Sequence, residues 1–403
     1  MIVLVLNSGS SSVKYQVIDP EEKRVLASGL VERIGMSGAI LTHRPTGKDE
    51  VRLSGEILDH KMAIEYVLSV LLSKNHGVLQ SKNEIDAVGH RVVHGGEAFS
   101  ASVLIDEGVM RELRKCIDYA PLHNPPNLKG INAAEQLLPD VPQIGVFDTA
   151  FHQSMPPYAF MYGLPYTIYK RHGIRRYGFH GTSHRFVSDR ALELTGMSKD
   201  QSKIITCHLG KGASIAAIKN GKSVDTSMGF TPLEGLLMGT RSGDMDPAII
   251  LQIMSKEELT LNDATILLNK HSGLIGVSGV SSDMREIEEN YNSNERAKLA
   301  HDMFTYRLKK YIGAYAAAMG GVDILVFTGG IGENSILVRK NSLQDLEFLG
   351  LKIDSAKNEL KSKEARYISA GDSKVKCVVI PTNEELIIAM DTMEIVKGLK
   401  KKK

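Results

Sequence analysis

Two segments that resemble each other constrain the fold of this chain more than any other feature. Each has an apolar stretch, a turn of small residues and a second alternating stretch, a pattern that is typical of a β-hairpin. The first segment covers residues 2–17 and the second covers residues 203–218, so they open the two halves of the chain. We interpret them as the starts of a duplicated domain; hairpins of this kind also occur without duplication.

The length of the chain also favours two domains. It has 403 residues, and single cores seldom grow beyond roughly 250–300 residues. Between the hairpins, apolar runs that end in polar, glycine-bearing loops alternate with helical patterns, which indicates an α/β chain with mixed sheets. Ligands of such sheets bind outside the carboxyl ends of the strands. We therefore expect functional residues in the loops that follow residues 85–88, 143–147, 322–327 and 375–380.

Composition excludes several classes of protein. The formal net charge is +2, which gives no electrostatic footprint for nucleic acid or for an anionic membrane, and we interpret the basic run 400–403 as a solvated tail. No apolar run approaches the roughly 20 residues of a membrane-spanning helix, and the apolar start lacks the basic residues and the length of a signal peptide. The 3 cysteines stand far apart, in no metal-like spacing, which favours a reducing compartment. The prediction is a cytoplasmic protein with no nucleic-acid or membrane partner.

Three glycine-bearing loops have the composition of phosphate-binding loops. They cover residues 7–12, with Lys14 just beyond, residues 208–212 and residues 328–334. Glycine lets the backbone approach an anion closely, and exposed N–H groups can then contact it. None of the three is a Walker loop or a dinucleotide-binding fingerprint. Each by itself is also compatible with an ordinary tight turn, but three in one chain favour a nucleotide site.

Two arginines and a histidine stand in predicted glycine-bearing loops. Arg91 follows a predicted strand and precedes Gly95 and Gly96, and Arg241 lies in a loop of small residues between two glycines. A guanidinium group held in this way can donate two parallel hydrogen bonds to a phosphate or a carboxylate. His180 has a similar setting. The alternatives are surface or capping arginines and a histidine that is merely hydrogen-bonded in its loop.

Two acidic residues complete the set of candidates. Asp148 ends an apolar strand, where a carboxylate seldom serves packing. Glu384 begins a predicted helix, so it either interacts with the helix dipole or contributes to a site for Mg²⁺, which prefers oxygen ligands. Glycine loops, arginines, a histidine and acids together suit phosphoryl transfer, in which catalysis is mostly positioning and charge neutralisation.

Taken in order, these motifs resemble those of the acetate kinase family. The segments that carry the resemblance are residues 6–14, 89–96, 121–124, 147–152, 177–184, 239–244 and 327–334. Each is modest alone, but the ordered set is specific. The resemblance implies two duplicated ribonuclease-H-like domains of the actin-like ATPase type, with mixed sheets and an active site in the cleft between them. The domains would cover 1–150 plus about 385–403, and 151–384, the second of which would bind the nucleotide and form the interface of a homodimer.

The resemblance also implies roles for individual residues. Arg91 would hold acetate and then acetyl phosphate, and Asp148 would be an essential carboxylate. His180 and Arg241 would stabilise the phosphoryl group in transfer. The pocket for the substrate methyl group would consist of Val93, Leu122, Phe179 and Pro232. The nucleotide site would consist of Lys14, His208, Leu209, Gly210, Lys211, Gly212, Asp283, Met284, Arg285, Ile331, Gly332, Glu333, Asn334 and Ser335.

The implied reaction is the reversible, Mg²⁺-dependent conversion of ATP and acetate into ADP and acetyl phosphate by direct in-line transfer. Asn7 and Glu384 would place the Mg²⁺ ion, or Mn²⁺ in its stead. No general base is needed, because a carboxylic acid is already ionised at pH 7. One departure from the family pattern is Lys211, where the family usually has asparagine, so the role of this residue is open. The remaining alternatives are a propionate or butyrate kinase, because one methylene is worth only about 1–3 kcal/mol, and an ATP-driven chaperone or filament-type ATPase of the same fold.

Overall fold

The computed structural model describes residues 1–401. They form two compact units, one of Met1–Gln153 together with the segment from Asn383 onward, and one of Ser154–Thr382. Lys402 and Lys403, which belong to the expected solvated tail, lie outside the described residues. Within residues 1–401, no helix combines the length and the apolar character that crossing a bilayer requires.

The elements alternate as the sequence predicts. The first unit contains β1 (Val3–Ser8), β2 (Ser12–Asp19), β3 (Arg24–Glu32), β4 (Ala39–Pro45), β5 (Val51–Gly55), α1 (His60–Leu71), β6 (Ala87–Val92), β7 (Val103–Leu104), α2 (Glu107–Lys115), α3 (Asn124–Leu137) and β8 (Gln143–Phe147). The second unit contains α4 (Pro157–Phe160), α5 (Tyr166–His172), α6 (Gly181–Thr195), β9 (Lys203–Leu209), β10 (Ala213–Lys219), β11 (Lys222–Thr226), α7 (Ala248–Lys256), α8 (Leu261–Lys270), α9 (Gly273–Ser278), α10 (Met284–Glu289), α11 (Glu295–Met319), β12 (Ile324–Thr328), α12 (Gly329–Asn334), α13 (Ile336–Leu343), α14 (Ser355–Glu359), β13 (Arg366–Tyr367) and β14 (Lys376–Val379). The last helix, α15 (Glu384–Lys400), belongs to the first unit.

The first unit is built on a mixed sheet with the strand order β5-β4-β3-β2-β1-β6-β8-β7. Strand β1 is nearly continuous in apolar residues because both of its faces are covered. Its side chains alternate between the faces: Leu4 and Leu6 pack in the cluster that includes residues of α1. Val3 and Val5 pack in the cluster that includes residues of α15. The C-terminal helix therefore completes the core of the unit in which the chain begins.

The second unit repeats this arrangement in a sheet with the strand order β11-β10-β9-β12-β14-β13. Strand β9 pairs with β10 in antiparallel fashion and with β12 in parallel fashion. Strand β1 has the same two kinds of neighbour, antiparallel β2 and parallel β6. Each predicted hairpin thus lies beside a parallel strand at the centre of a mixed sheet. The predicted fold class, α/β with two duplicated domains and mixed sheets, is confirmed.

Candidate active site

In the first unit, the parallel strands β6 and β8 bring Arg91 and Asp148 together. Arg91 is the last but one residue of β6 and does not follow the strand as predicted, because pairing with β8 extends β6 to Val92. Asp148 directly follows β8. The guanidinium donates from Nε to Oδ1 of Asp148 at 3.0 Å and from Nη2 to Oδ2 at 2.6 Å. Asp148 is 1% exposed. Because both oxygens of this buried carboxylate are engaged, the plane and the direction of the Arg91 guanidinium are fixed.

Glu384 lies on the same guanidinium group. The Glu384 Oε2 atom is 3.7 Å from Arg91 Nε. Burial raises the pKa of Glu384, the positive charge of Arg91 opposes this increase, and the negative charge of Asp148 adds to it. Burial alone would lower the pKa of Arg91, but the two carboxylates outweigh burial and raise it. Arg91 therefore stays positively charged between two acids.

The oxygen atoms of this region suit a hard divalent cation. Asn7 offers an amide oxygen and Glu384 a carboxylate, and Lys14, which pairs with Asn7 across the β1–β2 hairpin, contacts the carboxylate of Glu385. Within residues 1–401 there is no cluster of three or more His, Cys, Asp or Glu side chains that would enclose a metal ion. Mg²⁺ is usually held by one or two carboxylates together with water and substrate phosphates. The residues present therefore fit such an ion.

In the second unit, His180 occupies the residue before α6 with φ of 56°, a left-handed conformation that is uncommon for a residue other than glycine. Its Nδ1 atom is 2.8 Å from the hydroxyl of Ser214 on β10. Its ring stacks on that of His208, with the centroids 4.2 Å apart. The Nδ1 atom of His208 is in turn 2.8 Å from the hydroxyl of Ser183. Both predicted histidines are thus held in a defined orientation by hydroxyl groups.

Gly212 marks the point where Arg241 and His180 come together. A Cβ atom on Gly212 would lie 3.4 Å from Nη1 of Arg241 and 3.7 Å from Nε2 of His180. Arg241 donates to the carbonyl of Pro232 at 3.2 Å, and burial lowers the pKa of the guanidinium. No carboxylate among residues 1–401 pairs with it. An anion in this place would therefore compensate a partly buried charge.

The loop that carries Arg241 is anchored by Asp244. Its Oδ1 atom accepts a hydrogen bond from the backbone N–H of Gly235 at 2.8 Å. Its Oδ2 atom accepts from the hydroxyl of Tyr311 at 2.7 Å and from Arg307 at 3.2 Å. The sequence shows Asp244 beside Arg241 without indicating this function.

A cleft of about 360 Å³ lies within the second unit. Eight of the predicted nucleotide-binding residues line it, namely Gly210, Lys211, Asp283, Met284, Arg285, Ile331, Asn334 and Ser335. Ser282, Glu288 and Gly330 also line it. Gly330 belongs to the predicted glycine-bearing loop 328–334, whereas no motif indicates Ser282 or Glu288. Apolar side chains, backbone of glycine residues and two cationic groups are the elements that an aromatic base with phosphates requires.

The other predicted nucleotide-binding residues do not line this cleft. Lys14 belongs to the first unit. The carboxylate of Glu333 does not line the cleft but accepts hydrogen bonds from the backbone N–H groups of Gly329 and Thr382, at 3.0 and 3.2 Å. The remaining four predicted residues are buried or intermediate in exposure and do not line the cleft, namely His208, Leu209, Gly212 and Gly332.

Arg339 holds the backbone between Ile331 and Asn334, two residues that line the cleft, and no sequence motif indicates this role. It is 1% exposed, and its Nη1 atom donates to the carbonyls of Gly332 and Glu333 at 2.9 and 3.0 Å. Burial lowers the pKa of Arg339 to about 10. In the sequence, Arg339 is one arginine in a helical segment of polar and apolar residues, a pattern that is typical of a surface position.

The residues predicted to surround a substrate methyl group are divided between the units. Val93 and Phe179 are buried, Pro232 is partly buried and Leu122 is 63% exposed. Val93 and Leu122 belong to the first unit, whereas Phe179 and Pro232 belong to the second. The backbone N–H of Val93 donates to the side chain of Asn127 at 3.0 Å, which fixes the loop after β6. The pocket itself stays a prediction.

Comparisons with known proteins extend over both units. A sequence model of the acetokinase family matches residues 2–390. The acetate kinase of Caldanaerobacter subterraneus subsp. tengcongensis is 58% identical over 402 residues, which are 99% of this chain and 100% of that protein. Among solved structures, the acetate kinase of Porphyromonas gingivalis has a TM-score of 0.95 at 54% identity, over 98% of this chain and 99% of that one. A propionate kinase from Francisella tularensis subsp. tularensis SCHU S4 has a TM-score of 0.91 at 42% identity, over the same shares of the two chains, 98% and 99%.

Proposed function

This chain belongs to the acetokinase family, and on that premise we propose that it reversibly transfers the terminal phosphoryl group of ATP to acetate. The observation that carries the proposal is the guanidinium of Arg241, which has no carboxylate partner among residues 1–401 and approaches Gly212 together with His180. Gly210 and Lys211, which immediately precede Gly212, line the cleft that suits a nucleotide. A partly buried cation beside such a cleft is what a transferring phosphoryl group needs.

Arg91 receives the carboxylate of acetate. The pair with Asp148 uses Nε and Nη2 of the guanidinium, which leaves Nη1 for the substrate. Asp148 acts as a positioning residue that aims Arg91; it removes no proton, because acetate is already ionised at pH 7. That Arg91 acts on the same anion as Arg241 and His180 stays a prediction, which kinetics of the variants test.

His180 and Arg241 act on the phosphoryl group. Charge is spread over three equatorial oxygens of this group during transfer, and fixed donors that face those oxygens lower the barrier. The side chains of both residues are held in place, His180 by Ser214 and Arg241 by Pro232. They are therefore aligned before the reaction begins.

A divalent cation, Mg²⁺ or alternatively Mn²⁺, would be held by Asn7 and Glu384. When bound, it would neutralise phosphate charge. Glu384 is suited to this task because its carboxylate is partly buried and lies 3.7 Å from the guanidinium of Arg91. The raised pKa of Glu384 also means that metal affinity falls with acidification sooner than for an exposed glutamate.

Acetate is the proposed acceptor, and propionate and butyrate are the competing acceptors. The relative at 58% identity is named acetate kinase, whereas the propionate kinase of known structure is 42% identical. A chaperone or filament-type ATPase of the same fold would not need Arg91 paired with a buried carboxylate. Acetate, ADP, ATP and acetyl phosphate are thus the proposed small-molecule partners.

Trapping of acyl phosphate with hydroxylamine tests the proposal. The purified chain is incubated with ATP, Mg²⁺ and acetate, propionate, butyrate or no acid, and both hydroxamate and ADP are measured. We expect acetyl hydroxamate in amounts equal to ADP, and lower kcat/KM for the longer acids. Release of ADP without hydroxamate would refute the proposed transfer, and higher kcat/KM for propionate would refute the proposed acceptor.

A homodimer is the proposed assembly, and α7 supports it. This helix carries a run of apolar residues, none of which is buried. Leu251 is 71% exposed and Leu261, at the start of α8, is 78% exposed, a combination that marks an interaction surface. We expect a dimer by light scattering and a monomer for Leu251→Glu, with Leu58→Glu, which is 68% exposed in the first unit, as the control. Wild-type chain that scatters as a monomer would refute the assembly.

The chain is proposed to reside in the cytoplasm because its cysteines, all of which lie within residues 1–401, form no disulfide bonds. All three, Cys116, Cys207 and Cys377, are free and buried. Cysteines of oxidising compartments are usually paired in disulfides.

A further inference from the structure

A line of four side chains runs through the second unit and ends on His180. The hydroxyl of Thr206 on β9 is 2.7 Å from Nδ1 of His184. The Nε2 atom of His184 is 2.8 Å from the hydroxyl of Ser214, and this hydroxyl is 2.8 Å from Nδ1 of His180. Thr206, His184 and Ser214 are each 0% exposed. We call these three residues the hydroxyl–imidazole relay.

The direction of the hydrogen bonds in the relay is set at its buried end. The hydroxyl of Thr206 has one partner among residues 1–401, Nδ1 of His184, and a buried O–H group that donates to nothing is costly. Thr206 therefore donates to Nδ1 of His184, which leaves the proton of this ring on Nε2. Nε2–H of His184 then donates to Ser214, and the Ser214 hydroxyl donates to Nδ1 of His180. The proton of His180 is consequently carried by Nε2.

The surroundings of His180 favour the neutral ring. Nη1 of Arg241 and Nε2 of His180 would lie 3.4 and 3.7 Å from a Cβ atom on Gly212, so both approach the same point of the backbone. A nearby positive charge disfavours a second one. The stacked ring of His208, 4.2 Å away between centroids, covers one face of His180 and limits the water that would hydrate a cation.

We propose that Thr206, His184 and Ser214 are positioning residues that hold His180 as the neutral tautomer protonated at Nε2, so that this N–H faces the transferring phosphoryl group. The proposal rests on the function proposed above as far as the phosphoryl group is concerned. No proton is transferred along the relay, because each hydroxyl and each ring keeps its own proton. With the opposite direction of hydrogen bonds, His180 would turn a lone pair towards an anion.

Nitrogen NMR of the imidazole rings tests the tautomer directly. The chain is labelled with ¹⁵N in its histidines, and the signals of His180 are identified by their absence in His180→Gln. We expect Nε2 to carry the proton and Nδ1 to be unprotonated in the wild-type chain at pH 7. Ser214→Ala should move the Nδ1 signal of His180, whereas Ser342→Ala, which removes an equally buried serine hydroxyl of the same unit, should leave it unchanged. Protonation of Nδ1 in the wild-type chain, in either charge state, would overturn the proposal.

Kinetics separate positioning from a merely structural effect. We expect Ser214→Ala to lower kcat about tenfold and to change the KM of ATP and of acetate less than twofold, because the relay acts through a group that serves the transition state. In a His180→Gln background the same substitution should cause no further loss. An equal loss in both backgrounds would show that Ser214 acts on the fold and would overturn the proposal.

The two proposals fail separately. An Nε2-protonated ring in a chain that forms no acetyl hydroxamate would support the relay and refute the reaction. An active kinase whose His180 is protonated at Nδ1 would refute the relay alone.

Discussion

Replacement of Asp148 by asparagine tests how the first unit holds Arg91. The asparagine side chain keeps the shape of Asp148 but removes its charge and turns an NH₂ group towards one N–H of the guanidinium. The wild-type carboxylate is 1% exposed and accepts two hydrogen bonds, and loss of one partner of a buried ion pair costs about 3–5 kcal/mol. Glu384 Oε2 remains 3.7 Å from Arg91 Nε, so we expect the lower end, about 3 kcal/mol.

Two measurements follow the Asp148→Asn substitution. Urea unfolding, monitored by circular dichroism, should show a lower midpoint, and hydroxamate assays should show a raised KM for acetate together with a lower kcat. Asp49→Asn is the control, because Asp49 is exposed and such surface changes usually stay within about 0.5 kcal/mol. If Asp148→Asn matches this control in stability and keeps the wild-type KM for acetate, the proposed positioning of Arg91 is refuted.

Three further substitutions address the other parts of the site and the stability of the chain. Arg241→Ala should lower kcat by about 10²–10³ with a smaller change in the KM of either substrate, as for loss of a fixed donor to a transition state; wild-type kcat would remove Arg241 from the mechanism. Gly330→Leu should raise the KM of ATP without unfolding the chain, because a Cβ atom at this cleft-lining glycine would meet nothing within 4 Å. Gly371→Leu, where a Cβ atom would also meet nothing within 4 Å and which does not line the cleft, should not raise it; an unchanged KM in Gly330→Leu would place the nucleotide elsewhere. Burial lowers the pKa of His90 from 6.5 to about 4. As the pH falls, the imidazole therefore binds a proton in the unfolded chain before it does so in the folded chain. The free energy of unfolding should consequently fall by about 3 kcal/mol between about pH 6.5 and pH 4. The free energy of unfolding, measured as a function of pH, should not show this loss in His90→Gln and should show it in His172→Gln, where the replaced histidine is exposed. Equal curves for the two variants would refute the assignment.

The fold could be predicted because its signals are local. The alternation of Val3, Leu4, Val5 and Leu6 between two apolar clusters follows from the period of a strand that is covered on both faces. The two hairpins could be recognised because turn residues and apolar periodicity occur within about 16 residues of each other. No pattern of this range shows that α15 returns to the core of the first unit, which follows from the resemblance alone.

The loops of the site could be predicted, but the residues that hold their side chains could not. Asp148 and Arg91 stand out because a charged residue ends or follows an apolar strand. Ser214 and Arg339 do not stand out, since a serine in a strand and an arginine in a helix are common, and their importance arises from partners that are distant in sequence. Ser214 Oγ meets His180 Nδ1 across 34 residues of chain, and hydrogen bonds of this kind leave no periodic signal.

Arg91 of the first unit and Arg241 of the second differ in how their charge is compensated, and this difference has a chemical consequence. Arg91 is balanced by Asp148 and Glu384 before any ligand binds, so a monoanion such as acetate adds little net attraction and is chosen mainly by hydrogen-bond geometry. The charge of Arg241 is partly buried, and its pKa is lowered by the loss of water. Because a desolvated cation gains most from the most highly charged partner, Arg241 should favour the phosphoryl group over acetate and should favour it most when negative charge gathers on its equatorial oxygens. A phosphate-like dianion, such as sulfate, should therefore compete with ATP in the wild-type chain and lose this competition in Arg241→Ala, whereas an equal inhibition of both chains would show that the guanidinium does not act as the phosphoryl site.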